Sequence, residues 1–175
     1  MGRVCSLWLC ADGLAHEWLE NLVKSLSQKY CTPSFIPHLT LLGDIPLRED
    51  TIAIAHAFAR TQKRMLIFPL FIAYTSEPFK ALYLHCEASD DLDAAHISAR
   101  ALFGMSAPAK YSPHISLLYD IDKEDRDQSR VSNDAKIEEI VIIGKKFPFR
   151  VMCSRLVLYD TTKFSEWSQL AGFTL

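Results

Sequence analysis

The chain has 175 residues, of which 49% are hydrophobic and 23% are charged, and its formal net charge is −2. This composition is typical of one globular domain, which at this length buries about 70% of the surface that its unfolded chain exposes. The balance of 19 basic against 21 acidic residues excludes a protein that grips long nucleic acid through many phosphates. A short ligand, or one with a single phosphate, is compatible with this charge balance.

Neither targeting segments nor cysteine patterns indicate an extracellular or membrane protein. No apolar run approaches the roughly 20 residues of a membrane span, and the N-terminus lacks the pattern of a signal peptide. We expect an intracellular, cytoplasmic protein. The cysteines are odd in number and scattered, which favours buried thiols over a disulfide framework or a zinc site: Cys5, Cys10, Cys31, Cys86 and Cys153.

The N-terminal third predicts a strand and a helix in succession. Residues 4–10 predict a strand, and because side chains alternate between its two faces, Ser6, Trp8 and Cys10 share one face. Asp12 and Gly13 end the strand, and apolar residues then recur with helical period to about residue 30.

The next segment predicts a loop, a short strand and a second helix. Residues 32–37 carry two prolines and predict the loop. A short strand over 38–42 follows, stopped by Gly43, Asp44 and Pro46, and then a helix over 49–61.

The middle of the chain predicts a hairpin and a third helix. Residues 65–74 and 81–87 are rich in aliphatic and aromatic types and flank a turn, so they indicate antiparallel strands. Ser89 is a suitable cap for a helix that ends at Gly104. Residues 115–119 form the next predicted strand, and 120–130 a charged loop or surface helix.

The remaining strand candidates are residues 137–143, 151–159 and 170–175. Because helices are interspersed among strands with short connections, the order predicts an α+β fold with helices packed outside antiparallel sheets.

One motif occurs twice, 76 positions apart: FIPHLTLL over residues 35–42 and YSPHISLL over 111–118. Each copy carries an aromatic residue, a proline, a histidine and, two residues later, a hydroxyl residue. The repeat predicts a single domain over 1–175, made of two pseudo-symmetric lobes with one motif each. Within a strand, residues two apart point the same way, so His38 pairs with Thr40 and His114 with Ser116.

Two imidazoles that face one ligand are suited to general acid and general base catalysis near neutral pH. Uncharged hydroxyls can hold phosphoryl oxygens. A single His-x-Thr segment is most simply explained as ordinary residues at the start of a strand, with no role in catalysis. Because the pattern occurs twice in matching positions, that explanation is much weaker here.

At these residues the sequence resembles the two-histidine phosphoesterase superfamily, and within it the cyclic phosphodiesterases. The similarity extends to Ser6–Leu7–Trp8, to Pro113–Tyr119 and to Glu166–Trp167, in the same order. The resemblance implies a bilobed fold in which two antiparallel sheets face a central cleft.

The implied reaction is metal-independent hydrolysis of a small cyclic phosphate, with His38 and His114 catalytic and Thr40 and Ser116 binding phosphate. The implied substrates are a nucleoside 2′,3′-cyclic phosphate, opened to the 2′-phosphate, or ADP-ribose 1″,2″-cyclic phosphate, opened to the 1″-phosphate. Which histidine is the base stays open. No cofactor and no metal are expected. The protein is expected to be a monomer that does not associate with a membrane.

The resemblance also assigns substrate contacts to Trp8, Tyr119 and Phe79. Trp8 lies on the strand face that carries both polar and apolar side chains, which favours an indole that stacks on a base or sugar. Tyr119 would face the core in a regular strand, so its role requires the strand to end or bulge there. Phe79 is equally consistent with a core or surface position.

Two alternatives are kept. The segment HLTLLGD over 38–44 is similar to that of RNA-end phosphodiesterases and 2′,5′ RNA ligase-like enzymes, which would make RNA 2′,3′-cyclic phosphate ends the partner. The other is a nucleotide-binding protein that has kept the fold without catalysis.

Overall fold

An antiparallel sheet with helices on one side organises the protein. The structure, a computed structural model, describes residues 2–106, 111–121, 131–144 and 150–175. Its strands are β1 (Val4–Ala11), β2 (Leu39–Pro46), β3 (Met65–Ile67), β4 (Pro69–Tyr74), β5 (Leu82–Cys86), β6 (His114–Leu118), β7 (Val151–Asp160) and β8 (Ser168–Thr174). Its helices are α1 (Gly13–Tyr30), α2 (Thr51–Ala59), α3 (Asp90–Leu102) and α4 (Asn133–Ile143).

The strands follow the order β3-β7-β1-β2-β6-β5-β4, with β8 paired to β7. All pairs are antiparallel, so the predicted α+β class is confirmed. The two expected sheets are joined where β2 meets β6, through the register pair Leu39 and Ile115. They therefore form one eight-stranded sheet with a narrow junction, and that junction lies between the two histidine motifs.

The predicted strand over 65–74 is two strands that belong to opposite ends of the sheet. β3 pairs with β7, whereas β4 pairs with β5 in the predicted hairpin. Pro69, which has no N–H to donate, begins β4. Because only Phe68 separates strands at the two ends of the order, the sheet curls until its ends approach each other.

The three predicted helices are confirmed. α1 ends where Cys31 adopts a left-handed conformation with φ of 54°, and its buried side includes Leu19, Val23 and Leu26. α3 begins at the predicted cap, since the Ser89 hydroxyl accepts a hydrogen bond from the Leu92 amide.

The strand predicted over 137–143 is wrong, because this segment is the helix α4. Ser132 caps it by accepting a hydrogen bond from the Ala135 amide. The buried positions are Lys136, Glu139 and Ile143, at helical spacing. Two of them are charged, so an apolar pattern could not identify the buried side.

Buried partners explain these charges. The Lys136 ammonium lies 3.5 Å from an Asp120 carboxylate oxygen, while Glu139 accepts a hydrogen bond of 2.8 Å from the Tyr30 hydroxyl and pairs with Lys29. Most of the charged segment predicted over 120–130 lies outside the described residues.

β2 continues past the predicted stop at Gly43 and reaches Pro46. Asp44 has a φ of 54°, and the register against β1 shifts between Cys5 and Leu7. A bulge thus absorbs the residues that were expected to end the strand.

The two faces of the sheet are packed differently. The large core lies under the helices and includes Leu7, Leu9 and Leu39. On the opposite face is a small cluster of Trp8, Cys10, Val157 and Tyr159. Among the described helices, none is long and apolar enough to cross a membrane.

Candidate active site

The two motifs meet at one cleft of about 330 Å³. His38 lies immediately before β2, and His114 is the first residue of β6. The sequence-predicted residues that line the cleft are Trp8, His38, Thr40, Phe79, His114, Ser116 and Tyr119. The junction of the sheet halves therefore brings together every residue to which the sequence analysis assigns a catalytic, phosphate-binding or substrate-binding role.

His38 is held in one orientation by two contacts. Its Nδ1 lies 2.6 Å from the carbonyl oxygen of Ile36, and its ring stacks on the Trp8 indole with centroids 3.6 Å apart and planes 10° from parallel. Burial of the side chain lowers the pKa of His38 from 6.5 to about 4, against the opposing effect of its hydrogen bond to Ile36 and with a smaller lowering effect from the nearby His114. His38 is therefore neutral at pH 7.

His114 is bound in the same way but is more accessible. Its Nδ1 lies 3.0 Å from the carbonyl oxygen of Ser112, and the Tyr83 ring contacts it edge-on at 5.6 Å. Burial lowers the pKa of His114, with Lys80 acting in the same direction and Glu77 against it.

These hydrogen bonds fix the tautomers. A carbonyl oxygen only accepts, so Nδ1 of each ring must carry the hydrogen and donate it. Nε2 is then the nitrogen that exchanges a proton in both imidazoles. The more exposed ring, His114, retains a proton to higher pH than His38. The pair can therefore hold one proton between an acid and a base.

The two hydroxyls of the motifs differ in their hydrogen bonds. The Ser116 hydroxyl donates to the carbonyl oxygen of Phe79 at 2.9 Å. In the described part of the chain, no side chain or backbone group hydrogen-bonds the Thr40 hydroxyl. Thr40 is thus ready to donate to a ligand oxygen, whereas Ser116 must first rotate.

The stacking surface expected of Trp8 is not free. Its indole is only 3% exposed, and it stacks on His38 and also on Tyr159, at 4.2 Å and 19°. Thr40 is its register partner across β1 and β2. Trp8 therefore lines the cleft as a support for the imidazole, and its rings are already packed against protein.

Tyr119 meets the condition that its predicted role required. β6 ends at Leu118, which frees Tyr119 from strand alternation and turns it into the cleft. Its ring stacks on Phe35 at 3.6 Å. Burial raises the pKa of the Tyr119 phenol, and hydrogen bonding with Ser116 opposes part of that rise.

Phe79 lies at the mouth of the cleft in the 3₁₀ turn Pro78–Lys80 and is 45% exposed. It lies edge-on to Tyr119 at 5.4 Å and nearly parallel to Trp167 at 5.7 Å. This half-exposed aromatic ring is available to a ligand.

Each motif also braces the other. Tyr111, which precedes the second histidine, donates a hydrogen bond from its hydroxyl to the carbonyl oxygen of Thr40 at 2.9 Å. Phe35, which precedes the first histidine, stacks on Tyr119 next to the second motif. His96 stacks on Tyr111 at 4.0 Å, and its Nδ1 lies 2.6 Å from the carbonyl oxygen of Leu41. The aromatic residue that precedes each histidine is thus an anchor between the two motifs.

Removing one brace should cost stability. We expect Tyr111→Phe to lower the free energy of unfolding by about 1 kcal/mol, because it deletes one hydrogen bond and keeps the ring. The melting temperature should fall by about 2–4 °C at this chain size. Thermal unfolding measures it, with Tyr74→Phe on β4 as the control; equal melting temperatures for Tyr111→Phe and wild type would contradict the brace.

Sequence reasoning missed several lining residues or gave them no role: Ser6, Asp44, Thr161, Thr162, Phe164 and Trp167. Thr161 and Thr162 follow β7, and the Thr161 hydroxyl lies 3.0 Å from that of Ser6. The only available signal was the polar pair at the end of a strand. The described lining is rich in hydroxyls, and Asp44 is its one carboxylate.

No group of three or more histidine, cysteine or acidic side chains capable of holding a metal occurs among the described residues. The remaining histidines lie elsewhere: His16 in α1, His56 in α2, and His85 on β5.

Comparison with known proteins identifies the family. The family model of the 2′-5′ RNA ligase superfamily matches residues 15–163. The chain belongs to this superfamily. The predicted resemblance to two-histidine phosphoesterases is thereby confirmed at the superfamily level, while the cyclic phosphodiesterase branch stays a prediction. No curated protein sequence matches at a significant level.

Solved structures with a similar fold include two of E. coli LigT. E. coli LigT complexed with ATP has 12% identity and a TM-score of 0.61, with 100% of this chain and 99% of that chain covered. E. coli LigT complexed with 3′-AMP has 11% identity and a TM-score of 0.58, at 100% and 99% coverage. A protein described as a phosphoesterase has 13% identity and a TM-score of 0.61, at 99% and 98% coverage.

Proposed function

We propose that this superfamily member hydrolyses a small cyclic phosphate at the cleft. The observation that carries the proposal is the pair of imidazoles in one cleft, each with Nδ1–H bound to a carbonyl oxygen. This arrangement presents two Nε2 atoms for proton transfer, which opening of a cyclic phosphodiester by water requires.

In this mechanism His38 is the general base. Its low pKa, about 4, keeps Nε2 unprotonated, so it can take a proton from water as the water oxygen bonds to phosphorus. The bond from phosphorus to one ribose oxygen breaks, and His114 donates its proton to that oxygen. For a nucleoside 2′,3′-cyclic phosphate the leaving oxygen is O3′, and the product is the 2′-phosphate. For ADP-ribose 1″,2″-cyclic phosphate it is O2″, and the product is the 1″-phosphate.

Thr40 and Ser116 are proposed to bind the non-bridging phosphate oxygens. Neutral donors stabilise the charge that develops in the transition state without raising the net charge of the cleft. Because the described lining contains hydroxyls and imidazoles rather than lysine or arginine, it fits a monoanionic phosphodiester.

Phe79 and Tyr119 are proposed as substrate contacts at the aromatic side of the cleft. The exposed Phe79 ring can stack on a base or sugar. Trp8 is proposed to act through His38, since its indole is buried between protein rings.

Steady-state hydrolysis of nucleoside 2′,3′-cyclic phosphates and ADP-ribose 1″,2″-cyclic phosphate, with product identification, tests the function. We expect turnover of at least one substrate, and equal turnover in EDTA, because the two-histidine mechanism uses no metal. Absence of turnover on the whole panel would disprove the proposal, and loss of activity on chelation would disprove the mechanism.

A second candidate is an RNA-end phosphodiesterase or 2′,5′ RNA ligase-like enzyme. The family match favours it, and solved E. coli LigT structures hold 3′-AMP, ATP and NADP+. Oligonucleotides with a 2′,3′-cyclic phosphate end distinguish the candidates: a much higher kcat/KM for the oligonucleotide than for the mononucleotide would favour the RNA enzyme. Tight binding without turnover of either would instead indicate a non-catalytic protein.

A further inference from the structure

The cleft face of the sheet continues beyond His114 across β5 and β4. Residues directly opposite each other in antiparallel strands share a face. His114 is opposite His85, and His85 is opposite Phe71. Ser116 is opposite Tyr83 in the same way. A row of rings therefore extends from the catalytic imidazole to the edge of the sheet.

These rings are accessible and in contact. Phe71 is 51% exposed, and it stacks on His85 with centroids 4.8 Å apart and planes 28° from parallel. Tyr83 is half-buried, and its ring touches His114. The Lys80 ammonium lies 4.5 Å above the Tyr83 ring. An exposed aromatic surface that carries the Lys80 ammonium thus adjoins the reacting centre.

We propose that this row, Phe71, Tyr83 and His85 with Lys80, binds a nucleoside that is linked through phosphate to the reacting ribose. It rests on the proposed function, because it places the reacting phosphate between His38 and His114. Flat rings stack on nucleobases of any identity, and an ammonium beside them suits the linking phosphate. Glu77, which also acts on His114, is the opposing charge nearby.

The depression that adjoins the cleft at Thr162 is less suited to a phosphate. Beyond Thr162, the neighbouring depression is lined by Arg3 and Lys163. Arg3 pairs with Asp160 at 2.6 Å, and Lys163 pairs with Glu166. Those cations are already neutralised, whereas Lys80 lies over an aromatic ring. The charge pattern therefore directs the linking phosphate toward β5 and β4.

Binding of reaction products tests the row without depending on turnover. The probes form two matched pairs, measured by calorimetry. Adenosine 2′-phosphate is compared with the dinucleotide ApA carrying a 2′-phosphate, and ribose 1,5-bisphosphate with ADP-ribose 1″-phosphate. We expect the added nucleoside to tighten binding about tenfold within the RNA-derived or the ADP-ribose-derived pair, the lower range for stacking of one base. The probe that gains affinity identifies the source of the nucleoside.

Phe71→Ala should abolish this gain, because Phe71 is exposed and its loss leaves no core cavity. Tyr74→Ala is the matched control: Tyr74 is a 37% exposed aromatic residue of the same strand, opposite Leu82, whose side chain is buried on the helix side. It should keep the gain. Equal affinities with and without the linked nucleoside in both pairs, or a gain that survives Phe71→Ala, would overturn the proposal. Failure of the proposed function would instead appear as absent hydrolysis.

Discussion

His38→Ala and His114→Ala should each lower kcat by about 10²–10⁴-fold on whichever cyclic phosphate the protein hydrolyses, the range for loss of one general acid or base. KM should change little, because Thr40 and Ser116 keep their hydroxyls in both variants. The double variant should lose little more than either single variant, since both protons move in one reaction and removal of either group already breaks the exchange. Steady-state kinetics on the single and double variants measure it.

His56→Ala is the control for histidine loss as such. His56 lies on α2 and contacts Phe173, away from the cleft, so this variant should keep the wild-type kcat. Circular dichroism and thermal unfolding check that the cleft variants are folded. Wild-type turnover in either His38→Ala or His114→Ala, in folded protein, would contradict acid and base catalysis by this pair.

The candidate site can be predicted from the sequence because its motif, a histidine followed two residues later by a hydroxyl residue, occurs twice. Alternation within a strand places His114 and Ser116 on one face, and the repeat of that pattern at His38 pointed to a shared cleft. The burial of the aliphatic residues between them, such as Leu39 and Ile115, shows why the pattern is regular. Polar cleft positions and apolar core positions alternate along the same strands.

The supporting contacts were not accessible, because they depend on tertiary packing. Nothing in the alternation of β1 shows that Trp8 packs against both His38 and Tyr159. Similarly, the sequence does not show that α4 is a helix, because its buried residues Lys136 and Glu139 are charged and have partners on other segments, Asp120 and Lys29. Apolar periodicity detects burial only where the buried residues are apolar.

The same supporting contacts should determine how the reaction depends on pH. His38 acts only when neutral, so kcat/KM should rise with pH through the His38 pKa of about 4. His114 acts only when protonated, so kcat/KM should fall above the pKa of His114, which burial holds below its ordinary value of 6.5. The pH profile of kcat/KM should therefore be bell-shaped, with its maximum below pH 7. Rates at low substrate concentration across pH 3.5–8 measure it; a maximum above pH 7 would contradict the assignment.

The pH dependence of the free energy of unfolding is a second measure of the lowered pKa of His38. Since the pKa of folded His38 is about 4 and its ordinary value is 6.5, the unfolded chain binds the extra proton between these values. Unfolding therefore becomes easier as pH falls below about 6.5, and the loss levels off near pH 4 at about 3 kcal/mol. His38→Gln, which carries no titratable ring, should remove most of this dependence in denaturant titrations. A variant that keeps the full wild-type slope would show that the acid sensitivity arises elsewhere, and that burial against Trp8 does not hold His38 neutral.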